Sequence, residues 1–296
     1  MKTTITYFFL AAIVFLPLST VYAQHGVSYN QFGQLRNSFN SSFSTMDERG
    51  SFSLLGRSQW VGVEGSPRSM WFTGNIGFER SHLSIGLDVK HAAMGVTKES
   101  EMTAYLAKAV RISEDEYLSL SMGGGLIYFQ GNFNQLDASD PTFRDNISET
   151  DGVLSISTSY YKKDRYYFGV SMPRFSLVKE QNRDYEFRNL YYITGGAVFE
   201  LDRDFHLRPS VLITHLDNLD PRYDVSLLLF LKKQFGLGMG VQNQGDLSAL
   251  MHLYFGNFGV GYSYQFNAGS TTLNQRISTN THEIGLRYRL GGMGLL

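Results

Sequence analysis

Histidines and the serines near them are the first residues in this sequence that could do chemistry. A hydrolase of the Ser–His type needs a serine, a histidine and an orienting acid or amide within hydrogen-bond reach. Ser248 and His252 share one face of a predicted strand, and His82 and His91 lie near opposite ends of another. No serine stands in the sharp glycine-flanked turn that exposes a nucleophile. We therefore expect structural polar roles for these side chains and no enzyme activity.

Acidic residues in predicted loops are the second candidates, for metal binding. Asp137, Asp140 and Asp145 fall in one loop, and Asp217 and Asp220 fall in another. The sequence contains neither an HExxH zinc motif nor an EF-hand loop. These acids could bind calcium loosely, and the sequence leaves that open. Because loop acids are usually solvated, we predict no metal site and no cofactor.

Charged residues inside predicted strands form a third set. Asp88 and Lys90 share the polar face of one strand, and Glu283, Arg287 and Arg289 share the polar face of the last strand. Such charges could select solutes in a lumen, or they could pair across it and fill it. Pairing is the default expectation because an isolated buried charge is costly. The sequence leaves open whether the lumen conducts.

The elements that position these charges are strands with one apolar face and one small or polar face. Residues 257–266 alternate large apolar residues with glycine, serine and glutamine, and residues 281–290 alternate apolar residues with glutamate, glycine and arginine. Successive strand residues point to opposite faces. A barrel in a bilayer needs lipid outside and a wet lumen inside, whereas a secreted β-sandwich needs polar outer faces. The pattern favours the barrel.

The same alternation recurs along the chain and predicts an all-β fold, a transmembrane antiparallel β-barrel of about 14 strands. Segments of ~9–12 residues match a tilted membrane strand. Short turns alternate with the long connections 131–150, 174–186 and 267–280, which predicts long outer loops and periplasmic N- and C-termini. Lys108 falls on an apolar face and is expected to reach towards the membrane boundary. The predicted strands are 51–60, 69–78, 83–90, 102–112, 117–129, 154–160, 166–172, 190–201, 205–215, 223–232, 235–242, 247–255, 257–266 and 281–290.

The N-terminus has the form of a cleavable secretory signal peptide. An apolar run, Ile5–Leu16, is followed by the small residues that a signal peptidase recognises, so cleavage would leave Gln24 first. The run is shorter than the roughly 20 residues that a spanning helix needs. We expect residues 1–23 to be the signal peptide, 24–49 an irregular N-terminal segment and 50–296 the outer-membrane barrel. A place at the periplasmic mouth, a place inside the lumen and a loose tail all remain open for residues 24–49.

Composition agrees with an exported envelope protein. The chain has no cysteine, 18 tyrosines, 22 phenylalanines, 30 glycines and only 6 prolines. Few prolines suit continuous strand ladders. The 26 lysines and arginines balance 27 aspartates and glutamates, which argues against nucleic acid as a partner and indicates no ion selectivity for a pore.

Short motifs appear in a fixed order along the mature chain. Arg57, Gln59, Trp60 and Gly62 stand in an R-x-Q-W-x-G pattern that is followed by a G-x-P ending at Pro67. Residues 168–173 contain G-x-S-x-P, and residues 207–210 contain L-x-P-S. Residues 261–264 read G-Y-S-Y, and residues 282–288 read H-E-I-x-L-x-Y.

This ordered set resembles the PorP/SprF family, outer-membrane proteins of the type IX secretion system of Bacteroidetes. Two positions depart from the family pattern. Asn40-Ser41-Ser42 stands where the family usually has N-P-A, and Gln265 stands where an acid often follows G-Y-S-Y. The departures concern the subfamily and the partner rather than membership.

The resemblance implies a non-enzymatic role in an outer-membrane protein. Members support secretion of adhesins, and some anchor such a partner at the cell surface or are associated with the secretion and gliding machinery. The implied partners are outer-membrane lipid, a secreted adhesin-type protein and other type IX components. A porin-like channel for small solutes is the alternative function, and a barrel hydrolase is remote. The motif positions, structural or partner-binding, are Arg57, Gln59, Trp60, Gly62, Pro67, Tyr262, Tyr264, His282 and Glu283.

Among these motif residues, Arg57 and Glu283 have the clearest physical role. Arg57 lies on the first predicted strand and Glu283 on the last. The two strands must meet to close the barrel, so we expect the two side chains to pair there. We rank this structural role above direct contact with a partner.

Overall fold

The computed structural model describes residues 29–136, 145–176, 185, 187–243, 245–267 and 280–296. Within these residues the strands form one closed antiparallel sheet of fourteen wall strands, which confirms the predicted all-β barrel and its strand count. No helix in the described ranges is long and apolar enough to cross a membrane.

Fifteen strand segments make up the fourteen wall positions, because β8 and β9 are two parts of one wall strand interrupted at Val198. The segments are β1 (Gly50–Gln59), β2 (Arg68–Phe78), β3 (Leu83–Met94), β4 (Thr97–Ser113), β5 (Glu116–Gly131), β6 (Ile147–Lys162), β7 (Tyr166–Ser176), β8 (Leu190–Ala197), β9 (Phe199–Glu200), β10 (Phe205–Leu216), β11 (Arg222–Leu231), β12 (Phe235–Gln242), β13 (Asp246–Phe255), β14 (Phe258–Asn267) and β15 (Thr281–Arg289).

The barrel closes where β1 meets β15. Their register runs from Ser51 opposite Arg289 to Gln59 opposite Thr281. Closure leaves no open sheet edge, which lipid could not hydrogen-bond.

The outer surface is apolar, as the alternation predicted. Large side chains such as Met122, Met239 and Val110 are 69%, 64% and 60% exposed, and they lie on different wall strands. The opposite faces carry serine, threonine, glycine and charged residues that are buried in the lumen. Hydrophobic side chains in contact with lipid and polar ones around a lumen are the arrangement that a bilayer stabilises.

The two ends of the barrel differ in their connections. One end, which we call the short-turn mouth, carries the connections 79–82, 114–115, 163–165, 201–204, 232–234 and 256–257. The other end, the long-loop mouth, carries 60–67, 95–96, 132–146, 177–189, 217–221, 243–245 and 268–280.

Three neighbouring strands are longer than the sequence pattern indicated. β4, β5 and β6 have 17, 16 and 16 residues and extend towards the long-loop mouth, so the connection between β5 and β6 is 132–146, shorter than the predicted loop 131–150. The apolar alternation fades there because these ends lie beyond the lipid-facing belt, while backbone hydrogen bonds continue the strands. Lys108 is exposed near the short-turn mouth, where its ammonium group contacts the Ser81 carbonyl oxygen, as the snorkelling prediction requires.

The N-terminal residues fill the barrel. Residues 29–49, which we call the lumen segment, contain the helix α1 (Arg36–Phe39) and a 3-10 helix (Ser41–Asp47). Every residue from 29 to 47 is buried except Ser41, which is half-buried. The sequence left three locations open for residues 24–49: the periplasmic mouth, the lumen and a loose tail. The described part of this segment lies inside the lumen.

The lumen segment spans the barrel from one end towards the other. The Tyr29 hydroxyl donates to Ser69 Oγ (3.3 Å), close to the long-loop mouth, and the segment enters β1 at the short-turn mouth. Leu296 is buried at the short-turn mouth against Phe43 and Met46. The described chain begins in the half of the barrel near the long-loop mouth and ends at the short-turn mouth. The periplasmic location of both termini stays a prediction. Residues 1–28 lie outside the described residues.

Candidate functional site

The seam between the first and last strands is held by a buried ion pair. Arg57 Nη1 lies 2.9 Å from Glu283 Oε2, and both side chains are almost fully buried. The predicted pairing of these two residues is therefore confirmed. Glu283 also accepts the backbone N–H groups of Asn30 (3.0 Å) and Gln31 (2.9 Å). A buried carboxylate needs several partners to offset its desolvation, and here the wall and the lumen segment supply them together.

A second buried charge centre lies nearer the short-turn mouth. Asp47, at the end of the 3-10 helix, pairs with Arg287 (2.7 Å), Arg289 (3.0 Å) and Arg36 (3.4 Å). It also accepts hydrogen bonds from Ser51 Oγ (2.7 Å) and from an Asn37 amide. Burial by itself raises the pKa of Asp47, but the three guanidinium groups outweigh burial and hold that pKa below its ordinary value. Asp47 is thus ionised at neutral pH and ties the segment to the last strand.

Hydroxyl groups make the contacts on the opposite wall. Ser42 Oγ donates to Ser159 Oγ (2.7 Å), and Ser41 Oγ donates to Ser121 Oγ (2.9 Å). Short side chains let the segment approach the wall closely, and each hydroxyl can donate and accept.

Glycines on the inner wall provide the space for two glutamines of the lumen segment. A Cβ atom at Gly261 would lie 1.9 Å from Gln31 Oε1 and 2.3 Å from Gln34 Oε1, and one at Gly285 would lie 2.7 Å from Gln31 Oε1. Even alanine at these positions would therefore require the glutamine side chains to move. The glycine-rich alternation of the last strands, which the sequence linked to a lumen, here allows close approach of a packed segment.

A third polar cluster joins the chain's last residues to the wall. Arg208 Nη1 donates to the Leu295 carbonyl oxygen (2.9 Å) and to the Tyr254 hydroxyl (3.1 Å), and Arg208 Nη2 lies 3.2 Å from His252 Nδ1. Four strand positions separate His252 from Ser248, about 13 Å. The two residues are not arranged as a nucleophile and its base, in agreement with the expected structural role.

The remaining motif residues occupy two other places. The Gln59 side-chain amide lies 2.9 Å from the Arg57 guanidinium, in the orientation in which its oxygen accepts. Trp60 and Gly62 adopt φ values of 49° and 96° in the connection 60–67, and the Pro67 carbonyl accepts from the Gln59 N–H (2.9 Å). This part of the motif shapes a turn at the long-loop mouth.

Tyr262, Tyr264 and His282 lie on the outer face of the barrel. The Tyr262 hydroxyl is 2.7 Å from His282 Nδ1, and the Tyr264 and His282 rings are 5.2 Å apart. His282 and Glu283 are adjacent in the motif but point to opposite faces of the wall, since strand side chains alternate.

The predicted loop acids do not form a metal site in the described part of the chain. Asp217 accepts a hydrogen bond from Asn189 Nδ2 (2.8 Å), while Asp137 and Asp140 lie outside the described residues. No group of three or more histidines, aspartates or glutamates there is arranged to hold a metal ion.

Sequence reasoning missed Asp47, Arg36, Asn30 and Gln31 as site residues. The one available signal was composition: residues 24–49 combine amides and hydroxyls with several aromatic residues, which is unusual for a loose tail. Alternation could not identify them, because this segment is irregular and follows no strand period.

Comparison with solved structures finds outer-membrane barrels of low sequence identity. Omp33 of Acinetobacter baumannii is 9% identical, with a TM-score of 0.46, over 82% of this chain and 100% of that chain. BamA from Haemophilus ducreyi lacking POTRA domains 1-3 is 9% identical, with a TM-score of 0.43, over 81% and 70%. The NanC porin is 10% identical, with a TM-score of 0.39, over 81% and 100%. These likenesses concern the fold alone.

Sequence comparison is more specific. No functionally curated protein matches the chain significantly. The family model described as type IX secretion system membrane protein PorP/SprF matches residues 21–288, which include every motif position named above and, apart from Arg289, both charge centres. The chain therefore belongs to the PorP/SprF family of type IX secretion system membrane proteins.

Proposed function

We propose that this outer-membrane barrel is a non-conducting platform of the type IX secretion system that supports secretion and surface anchoring of an adhesin-type partner. A link to the secretion and gliding machinery is the related role that the family allows. In both cases the barrel binds other proteins and catalyses no reaction.

One observation carries the proposal: the lumen is occupied by the chain itself. Nineteen residues, 29–47, lie inside the closed wall, and all but Ser41 are buried. At one charge centre, Asp47 of the segment pairs with Arg287 and Arg289 of the wall, and at the other the backbone N–H groups of Asn30 and Gln31 donate to Glu283 of the wall. Removing the segment would leave Arg287 and Arg289 without their anion and Glu283 without two of its donors, which is strongly unfavourable for buried charges. A barrel filled in this way suits protein docking better than the passage of solutes.

The orientation of the barrel follows from its connections. Bacterial barrels keep short turns in the periplasm and longer loops outside the cell. On this basis the short-turn mouth faces the periplasm and the machinery, and the long-loop mouth faces the exterior and a surface partner. Export through a signal peptide cleaved before Gln24 belongs to the same proposal.

Planar-bilayer recording tests the platform against the channel alternative. We expect purified protein to give no steady open current, because the ordered segment blocks the lumen. A large, steady conductance from the unaltered protein would favour the porin-like channel.

Capture from native membranes tests the partner. Protein tagged in the exposed connection 163–165 should recover a large secreted protein or type IX components, and cells lacking the gene should lose surface display of that protein. Normal display in those cells would contradict the anchoring role. An unrelated outer-membrane barrel with the same tag is the control for non-specific capture.

A further inference from the structure

The outward face of strands β2, β3 and β4 changes from apolar to basic towards the long-loop mouth. Residues that pair directly on neighbouring strands point to the same face of a sheet. Three successive outward rows approach the mouth: Phe72, Val89 and Met102, then Met70, His91 and Ser100, then Arg68, Ala93 and Lys98. The first row is apolar and the last carries two positive charges, so the edge of the lipid-facing belt lies between them.

Arg68 and Lys98 stand on either side of a small residue. Ala93 pairs with both of them, so their Cα atoms are two strand spacings apart, about 10 Å. Both side chains are exposed. Each is long enough to reach over Ala93, so the guanidinium and the ammonium group can bind one anion together.

These two positive charges have no ion-pair partner in the described part of the chain. Neither Arg68 nor Lys98 makes an ion pair or a side-chain hydrogen bond there, and Glu64 in the exposed connection 60–67 pairs with neither. Glu99, next to Lys98 on β4, points to the lumen and lies 3.0 Å from Arg174. An anion from outside the chain would therefore meet two unpaired cations, and arginine binds phosphate oxygens especially well.

The surroundings of the two cations match the rest of a lipid molecule. Nearer the middle of the wall, Met70 and Met102 are 56% and 54% exposed and offer an apolar surface for acyl chains. On β5 and β6, Tyr128 and Ser148 also face outward and are joined by a hydrogen bond of 3.0 Å. Basic residues at the edge of an apolar belt attract anionic lipid headgroups. A lipid whose acyl chains lie on the two methionines would have its headgroup at the two cations.

We propose that Arg68 and Lys98 form a binding site for the phosphate group of a phosphorylated glycolipid, the major lipid of the outer leaflet in a Gram-negative outer membrane. The choice of leaflet rests on the orientation given under the proposed function, in which the long-loop mouth faces the exterior. His91 and Ser100, whose side chains are 2.9 Å apart, lie between the phosphate and the acyl chains. The site binds a lipid and is separate from the protein partner.

Native mass spectrometry of the purified, detergent-solubilised protein tests the site. Lipid A, dephosphorylated lipid A and dioleoylphosphatidylglycerol are titrated separately, and the fraction of protein with bound lipid is measured. We expect saturable binding of lipid A and binding about tenfold weaker or less for the other two lipids.

The double variant Arg68→Gln/Lys98→Gln should bind lipid A about tenfold more weakly or less, because both basic residues contribute to headgroup binding. Arg203→Gln/Lys233→Gln removes the same charge from exposed connections at the short-turn mouth and should bind as the unaltered protein does. The proposal is overturned if the folded Arg68/Lys98 variant retains full binding, or if dephosphorylated lipid A binds equally well. Tighter binding of phosphatidylglycerol than of lipid A would also overturn it, since the site would then suit a phospholipid.

Cysteine labelling tests the leaflet separately. The chain has no cysteine, so Val61→Cys, at an exposed position of the connection 60–67, provides a single thiol. We expect a membrane-impermeant maleimide to label it in intact cells. Absence of labelling would overturn the outer-leaflet location and the proposed orientation together. Failure of lipid A binding with normal labelling would overturn the lipid site and leave the secretion role intact.

Discussion

Arg287 holds Asp47 through one guanidinium nitrogen that lies 2.8 and 2.7 Å from the two carboxylate oxygens, although 240 residues separate them in the chain. The contact joins the final wall strand to the end of the lumen segment. Near the long-loop mouth, Glu283 of the same strand pairs with Arg57 and accepts the backbone N–H groups of Asn30 and Gln31 from the lumen segment. The lumen segment is therefore bound to the closing seam of the barrel at two depths, and the predictions below follow from these two centres.

Replacing Asp47 should loosen the lumen segment. Asp47→Asn leaves Arg36, Arg287 and Arg289 buried without their common anion, and breaking a buried pair in this way costs about 3–5 kcal/mol. We expect faster proteolysis of residues 29–49 and unfolding at lower denaturant concentration. Asp202→Asn, in an exposed turn, is the matched control and should behave as the unaltered protein. Equal protease resistance of the Asp47 variant would show that the charge centre contributes little.

The charge centre at Asp47 also predicts that the stability of the lumen segment depends on pH. Because the folded protein lowers the pKa of Asp47, its ionised form stabilises the fold fully above its ordinary pKa of about 4, and this stabilisation is lost as pH falls through the lower, folded value. Hydrogen-exchange protection factors in the lumen segment, which correct for the intrinsic pH dependence of exchange, should be constant from neutral pH to about pH 4 and fall below it. Asp47→Asn should remove this acid-dependent change. A loss already present at pH 6 would require a different titrating group.

Close approach at Gly261 predicts that a single methyl group opens the lumen. Gly261→Ala places a Cβ on the two glutamine side chains, which overpacks the contact and destabilises it by about 1–3 kcal/mol. We expect intermittent conductance in planar bilayers where the unaltered protein is silent. Gly124→Ala is the control, because its Cβ meets no atom closer than 3.7 Å. A silent Gly261 variant with an undisturbed segment would mean that the glutamines adjust at no measurable cost.

The Arg57–Glu283 pair should be strongly coupled. Arg57→Met alone leaves a buried carboxylate, and Glu283→Gln alone leaves a buried guanidinium, so each should reduce barrel stability more than the double variant does. Barrel stability in the single and double variants can be measured from heat-modifiable electrophoretic mobility and from denaturant midpoints. Additive losses in the double variant would mean that the two side chains act separately.

His282 and Glu283 should have separable effects. Glu283→Gln should impair barrel assembly, because it disturbs the seam and the N–H groups of Asn30 and Gln31. Tyr262→Phe and His282→Phe alter only the outer face and should change stability by about 1 kcal/mol or less. If partner recognition uses this face, secretion falls in the outer-face variants while the barrel remains folded. Normal secretion in both would assign the outer-face motif residues a purely structural role.

Alternation of apolar and polar residues was sufficient to predict most of the wall. In 281–290, for example, Ile284 and Leu286 were assigned to the lipid and Glu283 and Arg287 to the lumen, and the structure confirms both. The reason is local: a strand has a period of two, so one residue's place determines the face of its neighbours. Strand ends were predicted less well, since the ladder of β4 to β6 continues where the alternation fades.

The sequence by itself also determined that Arg57 and Glu283 lie at the seam, because a closed barrel must pair its first strand with its last. Only the tertiary structure decided what fills the lumen. Asp47 pairs with Arg287 and Arg289, and the Gln31 side chain packs against the wall where Gly261 and Gly285 have no side chain. These contacts join an irregular segment to strands more than 200 residues away. Such contacts have no sequence period, because they depend on the shape left inside the closed wall and on the need to pair every buried charge.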